Sequence, residues 1–187
     1  IFKASKRLNH LVENLLNMSR LESGKISVHA DWCDINDLLY KVTKTLKQEL
    51  SKFSFVSTIR PDMPLVKLDF GLMEQVIYNL LLNSSQYAPI GSIIKFSADI
   101  NESNLRITVE DNGIGFSPEF LEKIFKKFMR ADLSRAGGLG LGLSIVKGIV
   151  EAHNGDVRAE NVSTGGARII LMITAETIDI NKLKFEE

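Results

Sequence analysis

The chain has 187 residues, and its 23 basic and 23 acidic side chains give a formal net charge of zero. Proteins that bind nucleic acid through electrostatic patches carry a basic excess, which this composition lacks. A hydrophobic content of 44% and a charged content of 25% are ordinary for a globular protein. The length suffices for one domain with an appendage. The composition therefore argues against a nucleic-acid partner.

The sequence also lacks signals for membrane insertion or secretion. No apolar run approaches the roughly 18 residues of a membrane-spanning helix, and no signal peptide opens the chain. The single cysteine, Cys33, cannot form an internal disulfide, which fits a reducing compartment. Because Ile1 lies within a helical pattern that has no N-cap, we expect a segment cut from a longer protein.

The first predicted element is an amphipathic helix from Ile1 to Ser23, ended by Gly24 in a left-handed cap. Its apolar residues recur at spacings of three and four, as in helices that pack on another helix. They are Ile1, Ala4, Leu8, Leu11, Leu15 and Met18, with Val12 and Leu16 beside them. One helix cannot bury such a stripe, so we expect a partner helix, either upstream or in a second copy.

Strand and helix signals then alternate irregularly. The predicted strands are residues 25–32, 53–59, 65–68, 92–100, 104–110, 156–160 and 167–174. The predicted helices are residues 34–50, 69–87, 118–125 and 139–154. Residues from Ala175 onward show no clear pattern. Short turns between adjacent strands favour an α+β fold, a two-layer α/β sandwich with a mixed sheet, preceded by one long helix. A doubly wound fold would need regular crossovers.

The first polar cluster lies on the predicted helix 69–87. Asn79 and Asn83 are four residues apart, so both amides project from one face of the helix. Asparagine is a poor residue for a helix interior. Amide oxygens can bind Mg²⁺ or orient water in its shell. A solvent-facing pair is an equally good interpretation of this motif by itself.

The second cluster is Asp111-Asn112-Gly113-Ile114-Gly115, directly after a predicted strand. Asp-Asn-Gly is a turn signal, so a tight turn explains the motif without any ligand. The alternative is a binding loop in which Asp111 accepts the exocyclic amine of adenine. Gly113 and Gly115 would then let the backbone approach the base.

The third cluster, residues 137–143, contains four glycines and runs into a predicted helix. Exposed N–H groups at the start of a helix favour phosphate. The motif is not a P-loop, because no Gly-Lys-Ser/Thr follows, and Ile145 stands where a dinucleotide fingerprint needs its third glycine. A structural glycine loop remains possible. Together, however, the three clusters supply metal, base and phosphate contacts for one nucleotide.

The same motifs resemble the catalytic domain of bacterial sensor histidine kinases, over nearly the whole chain. Residues 7–16 and 20–25 are similar to the second helix of the dimerisation hairpin and its exit. Residues 74–83 match the N box of that family, 111–115 the G1 box, 125–128 the F box and 138–143 the G2 box. Thr164-Gly165-Gly166 stands at a later glycine turn. Residues 148–153 are most similar to kinases of the potassium-transport sensor type.

The resemblance implies a Bergerat-type fold that binds ATP and Mg²⁺. Asn83 would be the main metal ligand, assisted by Asn79, and Arg130 would reach the terminal phosphate, so Arg130 and Asn79 are the implied catalytic residues. The segment from about Phe116 to Gly137 would be a lid. The implied nucleotide-binding residues are Asn79, Asn83, Tyr87, Asp111, Gly113, Ile114, Gly115, Gly138, Leu139, Gly140, Leu141, Gly142, Leu143 and Thr164.

The resemblance also implies a division of the chain and its partners. Residues 1–24 would be the second hairpin helix, 25–175 the ATP-binding domain and 176–187 a tail. The domain would transfer the γ-phosphoryl group to a histidine upstream of Ile1, for relay to a response-regulator receiver domain. The hairpin helices would form a homodimer, and the full-length protein would be a membrane-anchored sensor. None of the histidines here, His10, His29 and His153, has the sequence context of a phosphoacceptor.

Two residues depart from the family pattern. Gln86 stands where a basic residue is common, and Ser84 stands where alanine is common. ATPases of the gyrase, chaperone and mismatch-repair type share the fold but carry a catalytic glutamate where this chain has Asn79, which cannot act as a base. An anti-sigma-type serine kinase would lack the helix at 1–23. A vestigial regulatory domain that no longer binds nucleotide is the remaining alternative.

Overall fold

The computed structural model of the chain describes residues 2–24, 26–129 and 139–179, with side chains from Val12 onward. Its helices are α1 (Phe2–Glu22), α2 (Ile35–Thr45), α3 (Lys47–Leu50), α4 (Phe70–Tyr87), α5 (Pro118–Leu121) and α6 (Gly142–Ala152). Its strands are β1 (Asp31–Cys33), β2 (Ser54–Ile59), β3 (Leu65–Leu68), β4 (Ile93–Asn101), β5 (Asn104–Asp111), β6 (Gly155–Asn161), β7 (Ala167–Thr174) and β8 (Thr177–Ile178).

The main sheet has the strand order β2-β4-β5-β7-β6. β2 runs parallel to β4, and the other neighbours are antiparallel, so the sheet is mixed. Alternate side chains of the central strands are buried, among them Phe96, Ile107 and Leu171, because α4 and α6 lie over this face. The opposite face carries many polar side chains, among them Asp99, Arg106 and Arg168, together with exposed apolar ones such as Met172. This arrangement confirms the predicted α+β two-layer sandwich.

A second, smaller sheet has the order β1-β3-β8. β8 lies within the predicted tail and pairs with β3. The prediction of a strand over residues 25–32 is wrong for residues 26–30, which have no strand structure. β1 covers only the three residues that face β3. A strand needs a hydrogen-bonded neighbour, and β3 is only four residues long. The alternation of apolar and polar residues over 25–32 therefore did not suffice to make a longer strand.

The start of α4 is fixed by a buried histidine from the end of α6. The side chain of Asp69 caps α4 by accepting the N–H of Leu72 at 3.0 Å. The N–H of Asp69 in turn donates to His153 Nε2 at 3.2 Å. His153 Nδ1 lies 2.8 Å from the carbonyl oxygen of Ile149, a contact that fits the tautomer with its proton on Nδ1. His153 therefore joins two helices.

α1 packs against α4 and α6 through its last two turns. The amide of Gln75 in α4 donates to Asn14 Oδ1 at 3.2 Å and accepts from Asn17 Nδ2 at 2.6 Å. Leu21 lies over Gly148 in α6, where an added Cβ would lie 2.6 Å from its Cδ2. The other side of α1 is open, with Val12, Leu15 and Leu16 exposed. Gly24 has a φ of +63°, as its predicted cap position requires.

Three helix boundaries differ from the prediction. The helix predicted over 34–50 is interrupted at Leu46, and the one predicted over 118–125 ends at Leu121. The helix predicted from Leu139 begins at Gly142, because Gly140 has a φ of +71° that no right-handed helix contains. Ile1, Lys25 and residues 180–187 lie outside the described residues.

Candidate functional site

The C-terminal half of α4 carries the two asparagines of the first cluster. Asn79 is 4% exposed, and its Nδ2 is the buried side-chain polar atom that has no hydrogen-bond partner among the described residues. Asn83, one turn later, is half-buried. The two ends of an amide have the same shape, so the reverse assignment would leave an unpartnered oxygen, which is the ligand type that Mg²⁺ prefers. The site therefore fits a hard cation.

Asp111 ends β5 and is 8% exposed. Burial raises the pKa of its carboxyl group above the usual range, and hydrogen bonds from the Gly113 N–H and the Ser84 hydroxyl oppose that rise. The Gly113 N–H lies 3.0 Å from Asp111 Oδ1. A carboxylate offers about four lone-pair sites. Asp111 is thus held by the protein and can still accept an N–H from a ligand.

The loop after β5 lies directly on the end of α4. A Cβ added at Gly113 would lie 3.2 Å from Ala88 Cα and 3.3 Å from Pro89 Cδ. Asn112 fixes the other side, because its Oδ1 accepts the N–H of Ile93 at 2.7 Å. Ile114 at the loop tip is 85% exposed. The loop therefore has a fixed base beside α4 and a tip that faces solvent.

A second glycine turn, residues 164–166, packs against this loop. Gly166 has a φ of +108°, and a Cβ there would overlap the carbonyl oxygen of Asp111. Only glycine fits at this position, because both the backbone conformation and the space exclude a side chain. Thr164 is exposed at the start of the turn. The turn therefore packs directly against the backbone of Asp111 and Asn112.

The start of α6 approaches α4 at Asn79. A Cβ added at Gly142 would lie 3.7 Å from Asn79 Oδ1. Leu141 is the N-cap residue, and its side chain makes no capping hydrogen bond to that end of the helix. The N–H groups of the first turn are the positive end of the helix dipole. The predicted phosphate loop thus meets the predicted metal-binding amides.

The structure consequently brings Asn79, Asp111, Gly113 and Gly142 to one region around α4. Asn83 and Tyr87 lie on the same helix and are half-buried, and Leu143 is half-buried in α6. Leu139 and Gly140 lead into α6, whereas Gly115 turns away toward β6. Arg130 and Gly138, and with them residues 130–137 of the predicted lid, lie outside the described residues.

Sequence reasoning missed two residues of this region. It noted Ser84 only as a replacement for a common alanine, yet Ser84 is 6% exposed and its hydroxyl acts to lower the pKa of Asp111. It did not consider Asn161, whose amide holds both polar groups of the Phe116 backbone. The signal for Ser84 was a hydroxyl inside an apolar helix. Asn161 gave no local signal, because its partner lies 45 residues away.

A cavity of about 690 Å³ lies elsewhere, between the end of α1, residues 125–127 and α6. Its rim includes the ion pair between Glu22 and Lys127, at 2.6 Å. The residues that converge around α4 and Asp111 do not line it, apart from Ser144 in the first turn of α6. Its size alone does not make it the nucleotide site, because the three clusters lie outside it.

Comparison with known proteins agrees with the geometry around α4. Residues 69–177 match the family described as histidine kinase-, DNA gyrase B- and HSP90-like ATPases. The chain belongs to this family. The match begins at the N-cap of α4 and ends in β8, so it includes Asn79, Asp111 and the start of α6. This ATPase family binds ATP, and the predicted resemblance to the histidine kinases within it is confirmed.

The similar curated proteins are sensor kinases. The chain is 35% identical to sensor histidine kinase WalK of Bacillus subtilis over 88% of its own length. It is 34% identical to sensor protein KdpD of Escherichia coli over 89% of its length. It spans only 28% of WalK and 19% of KdpD. The chain therefore corresponds to the ATP-binding catalytic domain of sensor histidine kinases and not to a whole sensor.

Solved structures of histidine kinases share the fold. Full-length ShkA in complex with AMPPNP superposes with a TM-score of 0.82 at 23% identity, over 95% of this chain and 38% of ShkA. ThkA in complex with the response regulator TrrA has a TM-score of 0.72 at 23% identity, over 94% of this chain and 49% of that one. At this level of identity the likeness shows that this chain and those kinases share a fold.

Two features are absent from the part of the chain that the structure describes. None of the helices in residues 2–24, 26–129 and 139–179 is both long and apolar enough to cross a bilayer. Within the same residues, no group of three or more His, Cys, Asp or Glu side chains is arranged to hold a metal ion. A cation at this site would therefore depend on amide and ligand oxygens.

Proposed function

We propose that this chain binds ATP with Mg²⁺ in the region between α4, the loop after β5 and the start of α6. The observation that carries the proposal is the meeting of three chemically different groups on one helix. Asp111 and Gly113 lie against the end of α4, and Gly142 lies against Asn79. A base-binding carboxylate, a phosphate-binding helix start and metal-binding amides are the contacts that one nucleotide triphosphate requires.

Each group has a distinct role in this proposal. Asp111 accepts the amine of adenine, with Gly113, Ile114 and Gly115 beside the base. Gly138, Leu139, Gly140, Leu141, Gly142 and Leu143 surround the phosphates, and Tyr87 and Thr164 border the nucleotide. Asn83 and Asn79 hold the cation, which would neutralise phosphate charge during transfer. Arg130 stays a predicted contact to the terminal phosphate.

We further propose that the chain is the catalytic part of a protein-histidine kinase. It would pass the γ-phosphoryl group of ATP to a histidine outside these 187 residues, and a response-regulator receiver domain would accept it next. The names of the similar proteins support this, as does the complex of ThkA with a response regulator. The whole protein would be a membrane-anchored sensor whose catalytic part is cytoplasmic.

The division of the chain follows from the same proposal. Residues 1–24 would belong to a dimerisation hairpin, whose open stripe at Val12, Leu15 and Leu16 fits a helical partner in a homodimer. Residues 25–175 would form the ATP-binding domain. β8 extends the small sheet of that domain into the predicted tail, residues 176–187.

A binding experiment tests the nucleotide proposal. We expect calorimetry to detect ATP binding that strengthens when Mg²⁺ is added. Asp111→Asn should abolish detectable binding, because an amide can turn its donor toward the amine of adenine. Asp99→Asn, on the outer face of the sheet, is the matched control and should bind like the wild type. Normal affinity in Asp111→Asn would contradict the role of this carboxylate.

A second experiment tests the kinase proposal. A version of the chain preceded by its histidine-bearing hairpin helix should become labelled by ATP radioactive at the γ-position, and Asn83→Ala should prevent labelling. The chain by itself should hydrolyse ATP negligibly, because Asn79 offers no base to activate water. Steady hydrolysis without transfer would favour an ATPase of the gyrase type, and no ATP binding would favour a vestigial domain.

A further inference from the structure

The side-chain amide of Asn161 makes two hydrogen bonds to the backbone of Phe116. Asn161 Oδ1 accepts the N–H of Phe116 at 2.7 Å, and Asn161 Nδ2 donates to the carbonyl oxygen of Phe116 at 2.8 Å. Two neighbouring strands exchange the same pair of hydrogen bonds. The amide of Asn161 therefore replaces a strand partner for a residue that lies in a loop.

Asn161 lies in the same row of the main sheet as Asp111. Asn161 is the last residue of β6 and pairs with Ala167, and Ala167 pairs with Asp111 on the next strand. Asp111 begins the candidate adenine-binding loop, and Phe116 directly follows its last glycine. Both ends of the loop are thus tied to one row of residues across β5, β7 and β6.

Gly115 shows how closely Asn161 sets the path of this loop. Gly115 has a φ of +72°, and a Cβ there would lie 2.7 Å from Asn161 Oδ1 and 3.0 Å from the carbonyl oxygen of Gly166. The left-handed backbone conformation favours glycine, and the space leaves no room for a side chain. The Asn161 amide therefore lies directly against the backbone of Gly115 as well as that of Phe116.

We propose that Asn161 is a positioning residue for the adenine-binding loop, fixing residues 111–116 in the conformation that binds nucleotide. This inference rests on the proposed function, because it assumes that Asp111 receives the base. Without Asn161, the N–H and carbonyl of Phe116 would turn to water and the loop would sample more conformations. Ordering it again on binding would then lower affinity, chiefly by faster nucleotide release.

Hydrogen exchange tests the contact without any nucleotide. The N–H of Phe116 should exchange slowly in the wild-type 187-residue chain and much faster in Asn161→Ala. Asn104→Ala is the matched control, because Asn104 Oδ1 also accepts a side-chain hydrogen bond, from Thr174 at 3.1 Å, at the far end of β5 and β7. Equal exchange of Phe116 in the wild type and Asn161→Ala would overturn the proposal.

Nucleotide binding then tests the positioning role. We expect Asn161→Ala to weaken ATP binding about tenfold, which corresponds to about 1.4 kcal/mol and is only part of the net contribution of the two hydrogen bonds that are lost. Asn104→Ala should leave the affinity unchanged. Asn161→Asp keeps the acceptor but loses the donor, so it should also bind ATP more weakly and serves if the alanine variant does not fold. Wild-type ATP affinity in a folded Asn161 variant would overturn this inference, whereas failure of the wild type to bind ATP would overturn the proposed function.

Discussion

Asp111 is a carboxylate whose surroundings act on its charge in opposite directions. Burial raises its pKa, while the Gly113 N–H and the Ser84 hydroxyl stabilise the ionised form. An ionised acceptor suits the amine of a base, but a buried charge lowers the stability of the empty domain. The residue therefore trades fold stability for ligand recognition, as functional sites commonly do.

The raised pKa predicts a specific pH dependence of stability. The pKa of an aspartate in the unfolded chain is about 3.9, and the folded value of Asp111 lies above it. Between the two values the native state binds more protons, so this group stabilises the fold below about pH 4 and that contribution is lost as pH rises. Denaturant unfolding should therefore show wild type gaining stability relative to Asp111→Asn as pH falls. A difference independent of pH would contradict the raised pKa.

Ser84 makes a second prediction at the scale of one side chain. Ser84→Ala removes a hydroxyl group that favours the ionised form of Asp111 and so lowers its pKa, and we expect ATP affinity in calorimetry to fall about fivefold. Ser85→Ala is the matched control, because the hydroxyl of Ser85 donates to the carbonyl of Leu82 at 2.8 Å instead. Equal losses in the two variants would mean that the hydroxyl of Ser84 has no special relation to the base-binding carboxylate.

At the scale of elements, α4 depends on contacts made by its N-cap residue, Asp69. One carboxylate oxygen of Asp69 caps the helix, and the other accepts the N–H of His29 at 2.9 Å. We expect Asp69→Ala to lower the free energy of unfolding by about 1–2 kcal/mol in denaturant titrations. Asp69→Asn retains the capping oxygen and should lose much less. Equal losses would show that the charge, and not the cap, stabilises α4.

Local signals in the sequence predicted the elements well where local chemistry decides them. Asp34 and Asp69 were read as helix starts, and both cap α2 and α4. β3 and β7 have the predicted bounds. The predicted strand 25–32 failed because its extent depends on the length of β3, and β8 was missed because its partner is over a hundred residues away in sequence. Pairing between distant segments leaves little trace in a local pattern.

At the scale of the whole molecule, α1 is attached to the ATP-binding domain by a contact that glycine permits. Ala at position 148 would have to displace Leu21, whereas Ala at position 71 would meet only Asp69 Oδ1, at 3.6 Å. We expect Gly71→Ala to stabilise the chain by up to about 1 kcal/mol. Gly148→Ala should be about 1–3 kcal/mol less stable than Gly71→Ala.

Hydrogen exchange would locate the effect of Gly148→Ala. The amides of α1 from Asn17 to Leu21 should exchange faster in this variant, while those at the start of α4 keep their protection. Gly71→Ala should leave α1 unchanged. Uniformly faster exchange across the domain would mean that position 148 affects the core and not the attachment of α1.

The sequence predicted the nucleotide groups better than the parts that support them. Asn79, Asp111 and Gly142 were found because amides, a carboxylate and glycines stand in recognisable local contexts. The residues that position these groups were not predictable in the same way. Asn161 binds the Phe116 backbone from another strand, and Gly166 lets the backbone pack against Asp111 because it has no side chain. Such contacts depend on the register of β5, β7 and β6, which no single segment specifies.

The glycine turn at residues 164–166 has a consequence for how this binding region forms during folding. Asp111 receives its final surroundings only after β7 has paired with β5 and brought Gly166 against it, although α4 and β5 are synthesised earlier. Pairings across such long sequence separations form late because the loop-closure entropy opposes them. Nucleotide affinity should thus emerge in one step with the completed sheet, and a fluorescent ATP analogue would report the end of folding in kinetic refolding experiments.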